Sequence, residues 1–240
     1  MAKIFQVDTG GTLTTSLVSY WKLEDLTDFF STNNLTGVGS PTFTAGKVGN
    51  ALTLDGSTQY ATCPVRLTYA DFSLSFWFKT ADVTVLQSIF QQRNTGDGNP
   101  IVAVFVSGST LFFRLRDNSG GGLTTTTGKA VSNNTLYHVV VTYTKSSNAM
   151  NLYLNNGAAD SATFGGGDFS NLNASNFGAE AFANTEKLHG QIDEFGLWTK
   201  VLSSTEITDL YNGGSGQTMI LPQIPPILNI NQAVNRSNVF

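Results

Sequence analysis

Candidates for acid–base chemistry in this 240-residue chain include the adjacent acids Asp193 and Glu194 and the two histidines, His138 and His189. Cleavage of a glycosidic bond needs two carboxyl groups facing one linkage at roughly 5–9.5 Å. Neighbours on a strand alternate faces, so Asp193 and Glu194, within an extended stretch Gln191 to Trp198, point to opposite sides and make no such pair. The other glutamates, Glu24, Glu180, Glu186 and Glu206, are scattered. Neither histidine belongs to a Ser or Cys nucleophile motif of the kind a triad needs. His138 lies in an apolar run and reads as a strand residue that packs and hydrogen-bonds. No set of N and S ligands has zinc spacing. Cys63 is the sole cysteine, which rules out an intrachain disulfide and suits a buried, inert thiol. Gly120-Gly121-Gly122 and Gly165-Gly166-Gly167 are followed by neither Lys-Ser/Thr nor a helix, so they are not phosphate loops; both read as flexible loop tips. These residues argue against an enzyme.

Binding is a different matter. A sugar site joins an aromatic surface to Asn, Asp and Gly groups on loops. The candidates are Trp77, then Asp97 and Asn99 in Arg93 to Asn99 (RNTGDGN), then Asp117 and Asn118 in Arg116 to Gly122 (RDNSGGG). A strand tryptophan and Asn/Gly-rich loops also suit ordinary packing and turns, and both readings stand at this level.

The elements that must position these groups are strands. Phe72 to Lys79 puts Phe72, Leu74, Phe76 and Phe78 on one face and Ser73, Ser75 and Trp77 on the other, the pattern of a half-buried strand. Ile101 to Val106 is apolar on both faces. After Ser107-Gly108-Ser109 comes Leu111 to Arg116, where Phe112, Arg114 and Arg116 share a face opposite Leu111, Phe113 and Leu115; together they predict a hairpin. Leu136 to Thr144 and Met150 to Leu154 form a second strand pair, closed by a tight turn at Asn155-Asn156-Gly157. Further strands are expected at Val18–Leu23, Ala51–Leu54, Tyr60–Thr62, Ser88–Gln91 and Gln191–Trp198. One two-turn helix on the sandwich edge is expected near 204–211, from the capping-box spacing of Ser203 and Glu206, apolar Ile207, Leu210 and Tyr211, and Gly213 as a left-handed terminator. Strands at short spacing between Gly- and Asn-rich turns predict an all-β, two-sheet antiparallel sandwich.

The order of these segments resembles the laminin-G-like jelly-roll family of the concanavalin-A-like lectin and glucanase superfamily. The similarity runs through Leu17 to Leu23, Ala51 to Tyr60, Phe72 to Lys79, Tyr137 to Tyr143 and Leu152 to Gly157. Its most specific part is Gly190 to Gly213, similar to the family's closing strand and helix. By strand alternation Ile192, Glu194, Gly196 and Trp198 share one face, and Asp193, Phe195 and Leu197 the other, so Asp193 sits among apolar neighbours and needs a partner. The resemblance implies that a structural calcium can supply one at Asp193; hydrogen bonds from loop amides are the alternative, and no cofactor is required. Some relatives hydrolyse glycans, but the Glu-x-Asp-x-x-Glu signature of the related glucanases is absent.

Composition sets the surroundings. With 40% hydrophobic residues the chain can bury a full core. At 12% charged residues, about half the roughly 25% usual for soluble proteins, its surface is a neutral coat of Ser, Thr, Asn and Gly. A net charge of -4 with no basic cluster argues against nucleic acid and anionic membranes. No run approaches a membrane span, and Met1 to Gly11 lacks the apolar stretch of a secretion signal. The reading divides the chain into an N-terminal arm (1–15), a sandwich (16–214) and an extended C-terminal arm (215–240). That last arm is apolar yet broken by Pro222, Pro225 and Pro226, and is too short to cover Ile220, Leu221, Ile224, Ile227, Leu228, Ile230 and Phe240 by itself. It is expected to dock on a protein partner, in a homo-oligomer or a capsid or tail assembly, although it can also wrap its own sandwich. The expectation is a non-enzymatic structural protein at the surface of a virus particle, such as a phage decoration protein; the alternative is a carbohydrate-binding adhesion module, extracellular or on a cell surface.

Overall fold

The computed structural model describes residues 12–96 and 98–219. Its strands, in chain order, are β1 (Leu17–Trp21), β2 (Thr36–Val38), β3 (Thr42–Ala45), β4 (Asn50–Asp55), β5 (Tyr60–Thr62), β6 (Phe72–Thr80), β7 (Gln87–Arg93) and β8 (Ile101–Ser107). There follow β9 (Thr110–Arg116), β10 (Leu123–Thr125), β11 (Lys129–Ala130), β12 (Tyr137–Thr144), β13 (Ala149–Leu154), β14 (Asp160–Thr163), β15 (Ala174–Phe177) and β16 (His189–Trp198), then one helix, α1 (Ser204–Tyr211). They form two antiparallel sheets. Sheet A runs β14-β13-β12-β6-β16-β4-β3, with β1 also on β16; sheet B runs β10-β9-β8-β7-β15-β5-β2, with β11 on β9. This is the jelly-roll sandwich expected from the sequence. The strands missing from the sequence reading, β2, β3, β10, β11, β14 and β15, are short and rich in Thr, Ser, Ala and Asn, so alternation gives them little signal.

The core lies between the inner faces. Phe72, Leu74, Phe76 and Phe78 of β6 meet Val102, Val104 and Val106 of β8 and Leu111, Phe113 and Leu115 of β9. Phe195 stacks on Phe76 with ring centroids 5.0 Å apart. Each such side chain is worth about 1.5–3 kcal/mol on burial.

The outer face of sheet A is covered as well. Leu13, Tyr20, Val140, Trp198, Ile207, Leu210 and Met219 cluster there. Residues 12–15 and 215–219, assigned to arms by sequence, thus lie against the sandwich: Trp198 Nε1 donates to the Leu13 carbonyl at 2.6 Å, and the Met219 amide donates to Tyr20 Oη at 3.1 Å. This cover corrects the half-buried reading of β6, because Ser73, Ser75 and Trp77 are also buried. Their polar groups are matched: Ser73 Oγ donates to the Lys200 carbonyl at 2.7 Å, and Ser75 Oγ lies 2.9 Å from His138 Nε2.

Helix α1 has the anticipated capping box between Ser203 and Glu206. Its end is left-handed at the C-cap Asn212 (φ 47°) and at the expected Gly213 that follows (φ 58°). Its apolar side chains pack with Val140 of β12 and Trp198 of β16, so it lies over the face of sheet A and not along its edge.

Candidate functional site

The groups best placed to meet a ligand stand on the outer face of sheet B, at the end where three loops converge. Register puts them there. Arg93 pairs with Ile101 and Ile101 with Arg116, so the two arginines occupy one row, about 10 Å apart across three strands. In the next row Arg114 is opposite Ala103, which is opposite Gln91. Three of the five arginines in the chain therefore share one face. The absence of a basic run in the sequence concealed this, because the cluster is made by pairing between strands.

Each guanidinium is held by its Nε. Arg93 donates to the Gly98 carbonyl at 3.0 Å, Arg116 to the Gly120 carbonyl at 2.8 Å and Arg114 to Thr125 Oγ1 at 3.0 Å. Arg93 also pairs with Glu180 and lies 5.5 Å from the Phe182 ring. Arg114 lies 4.5 Å from the ring of Phe105, which stacks on Phe112 at 5.3 Å. Burial lowers the Arg114 pKa from its ordinary value, the charge of Glu186 opposes that, and Arg93 and Arg116 add to it. Among the described residues, ion pairs join Arg93 to Glu180 and Lys200 to Glu206, while Arg114 and Arg116 have none.

The loops after β7, β9 and β14 form the rim. Asp117 accepts from Ser119 Oγ at 2.7 Å and from the Gly167 amide at 3.1 Å, and these bonds, Ser119 first, lower its pKa. The Asn118 amide donates to the Asp168 carbonyl at 2.7 Å, and Asn118 Oδ1 accepts from the Asn171 amide at 3.1 Å. Asn94 and Asn173 join the first loop to the third: Asn94 Nδ2 donates to the Asn171 carbonyl at 2.9 Å, and Asn173 Oδ1 accepts from the Thr95 amide at 2.8 Å. The glycine runs are seams between loops and not the free tips expected from sequence. A Cβ on Gly122 would fall 2.2 Å from Gly166 Cα, and one on Gly120 would fall 2.6 Å from Asn99 Nδ2.

Of the sugar-site candidates, Asn99, Asp117 and Asn118 come together at this rim. Asp97 lies outside the described residues, as do Ile220, Leu221, Ile224, Ile227, Leu228, Ile230 and Phe240 of the arm. Trp77 is on the opposite side of the molecule. It is 3% exposed on the outer face of sheet A, stacked on Tyr211 at 5.9 Å with Lys47 Nζ 4.6 Å from its ring, so no ligand can use it as a platform. What the sequence reading missed is the third loop, with Asp168, Asn171 and Asn173, and the convergence of the arginines. The Arg114-x-Arg116 alternation was the available signal.

The acid pair also needs correction. Ile192 pairs with Phe78 and Asp193 with Trp77, but the register then slips, and pairing resumes at Gly196 with Ser75. Glu194 sits in this bulge at φ 52°. Ile192, Phe195 and Leu197 therefore all face the core, while Asp193 turns outward with Trp77. Asp193 Oδ2 accepts from the Lys47 amide at 2.6 Å and the Val48 amide at 3.0 Å, and Glu194 Oε1 accepts from Thr218 Oγ1 at 2.7 Å. Both carboxyls are thus bonded to segments over the same outer face, contrary to simple alternation. They are buried, at 0% and 5% exposure, beyond the reach of a sugar.

Calcium takes about 6–8 oxygens. Asp193 instead faces two N–H donors, and the described residues hold no cluster of three acidic, His or Cys side chains able to bind a metal. Oδ2 is thus capped by amides, whereas Oδ1 is buried without a hydrogen-bond partner among the described residues. Burial pushes the Asp193 pKa up to about 7, with the Val48 and Lys47 amides opposing. His138 is buried and held down at about 3, hence neutral.

Residues 55–208, more than half of the chain, match the laminin-G model described as the concanavalin A-like lectin/glucanases superfamily. The chain belongs to that superfamily. Among solved structures, this concanavalin A-like chain is similar to the binding domain of Paraclostridial mosquitocidal protein 1 (TM-score 0.69, 18% identity, 84% of this chain and 53% of that one). It is similar to the botulinum neurotoxin serotype D binding domain (0.69, 17%, 84% and 53%). A third is a structure reported for the dependence of botulinum neurotoxin type C cell entry on two ganglioside molecules (0.68, 16%, 84% and 52%). At these identities the likeness shows the fold, and the chain spans about half the length of each. No curated protein matches.

Proposed function

We propose that the chain is a non-enzymatic carbohydrate-binding module that meets its ligand with the outer face of sheet B and the adjoining rim. The observation that carries this is the rim itself: side chains of Asn94, Asp117, Asn118 and Asn173 tie three loops into a fixed polar edge beside partly exposed arginines. A preorganised polar surface loses little conformational freedom on binding. Support comes from the superfamily, which is named for lectins, and from similar domains that serve toxins as binding domains. A glycan array probed with the full chain tests it. Specific binding should fall at least tenfold in Asn118→Ala and be unchanged in Asp209→Ala, an exposed substitution on α1 across the molecule. An array with no specific binding sinks the proposal.

A second reading places this module on a virus particle, anchored through residues 220–240. It is favoured by the neutral surface and by the absence of any charged residue between Asp209 and Arg236 in a proline-interrupted apolar segment. Truncation after Met219 should abolish incorporation into the particle while leaving the melting temperature of the sandwich unchanged. Incorporation of the truncated chain would refute it.

A further inference from the structure

From the arginine face we infer that the ligand is an anionic sugar, carrying a carboxylate or a sulfate, and that Arg114 and Arg116 meet the anion; this rests on the carbohydrate reading above. The two lie on one strand, two residues apart on the same face, roughly 7 Å between Cα atoms. In both, Nε is already committed to a protein oxygen, so the Nη edge is what remains to bond a ligand. That edge presents two parallel N–H groups, which fit the two oxygens of a carboxylate or of a sulfate. Within the described residues neither arginine has a carboxylate partner, whereas Arg93 has Glu180. Glu180 thereby holds the third guanidinium beside the site as a buttress. Arg114 keeps its charge close to Arg93 and Arg116 although half-buried, and an arriving anion relieves that crowding. The surroundings suit a sugar ring: Phe182 and Leu123 are exposed at 45% and 52% at the margins of the face, offering apolar surface to C–H groups. A nucleic acid fits poorly. Its affinity comes from many phosphates neutralised together, and this face adds Glu180 and Glu186 to its three arginines in a chain of net charge -4.

The test is calorimetric titration of the full chain with one oligosaccharide in four forms: neutral, sialylated, sulfated, and sialylated with its carboxyl reduced. At least one acidic form should bind tenfold or more tightly than the neutral one, whichever anion it carries, and less tightly as salt rises. Arg116→Gln and Arg114→Gln should each remove the preference, and Arg116→Lys should restore it only in part, since a point charge replaces a fork. If Arg114→Gln fails to fold because its guanidinium covers Phe105, Arg116→Gln and Arg116→Lys still decide. Equal binding of neutral and acidic forms, or a preference that survives Arg116→Gln, overturns this inference and leaves the carbohydrate reading standing. Binding of none of the four forms, including the case where only anionic lipid vesicles are bound, overturns both.

Discussion

Asp193 is a carboxyl that the fold prefers to keep protonated. Its value of about 7 stands against 3.8 in an open chain, the rise being due first to burial. The folded state therefore binds the proton more tightly than the unfolded state. That contribution to stability is complete below about pH 4 and is lost as pH rises to 7, at up to about 1.4 kcal/mol per pH unit. Asp193→Asn keeps an oxygen for the Lys47 and Val48 amides and cannot ionise. Relative to the wild type it should gain stability steadily between pH 4 and 7 in urea unfolding; a constant difference across that range would show that Asp193 does not titrate there. Cys63 gives a second residue-level prediction. Burial pushes its thiol up to about 11 from 9.0, so the thiolate population at pH 8 is about a hundredfold below that of a free cysteine. An aromatic disulfide reagent should label the native protein at least that much more slowly than the urea-unfolded chain.

At the scale of elements, the sequence revealed what alternates cleanly. Phe72 to Phe78, Leu111 to Arg116 and the capping box of α1 all fold as their spacing predicts, since nothing interrupts the period of 2 or of 3.6. The reading failed at β16, where the bulge at Glu194 reverses face parity for every residue after it. No single-sequence pattern announces a glutamate at positive φ. It failed again for Trp77, because an amphipathic strand does not reveal that a distant helix and the segment 215–219 will cover its polar side. Trp77→Ala should accordingly cost about 3–5 kcal/mol in stability without changing glycan affinity, as measured by denaturant unfolding alongside the array. Ser203→Ala removes the helix cap and should cost about 1 kcal/mol in the same assay.

At the scale of the whole molecule, the candidate site was half legible. The loops at Asn99 and Asp117 were visible as Asn/Gly-rich turns, but the arginine row depends on β7, β8 and β9 lying side by side, which is a tertiary fact. The same long-range pairing governs assembly. β1 pairs with β16 across nearly the full described length and β4 across about two thirds of it, so folding should be slow, in the millisecond-to-second range typical of all-β domains. Stopped-flow refolding measures this directly.

Leu13 and Met219 enter the same cluster on the outer face of sheet A, whereas the guanidinium groups stand on the outer face of sheet B. Both exits of the described chain therefore leave by the back of the molecule. The two ends of the described segment thus lie together on the side opposite the guanidinium groups, as a wrist lies behind the palm.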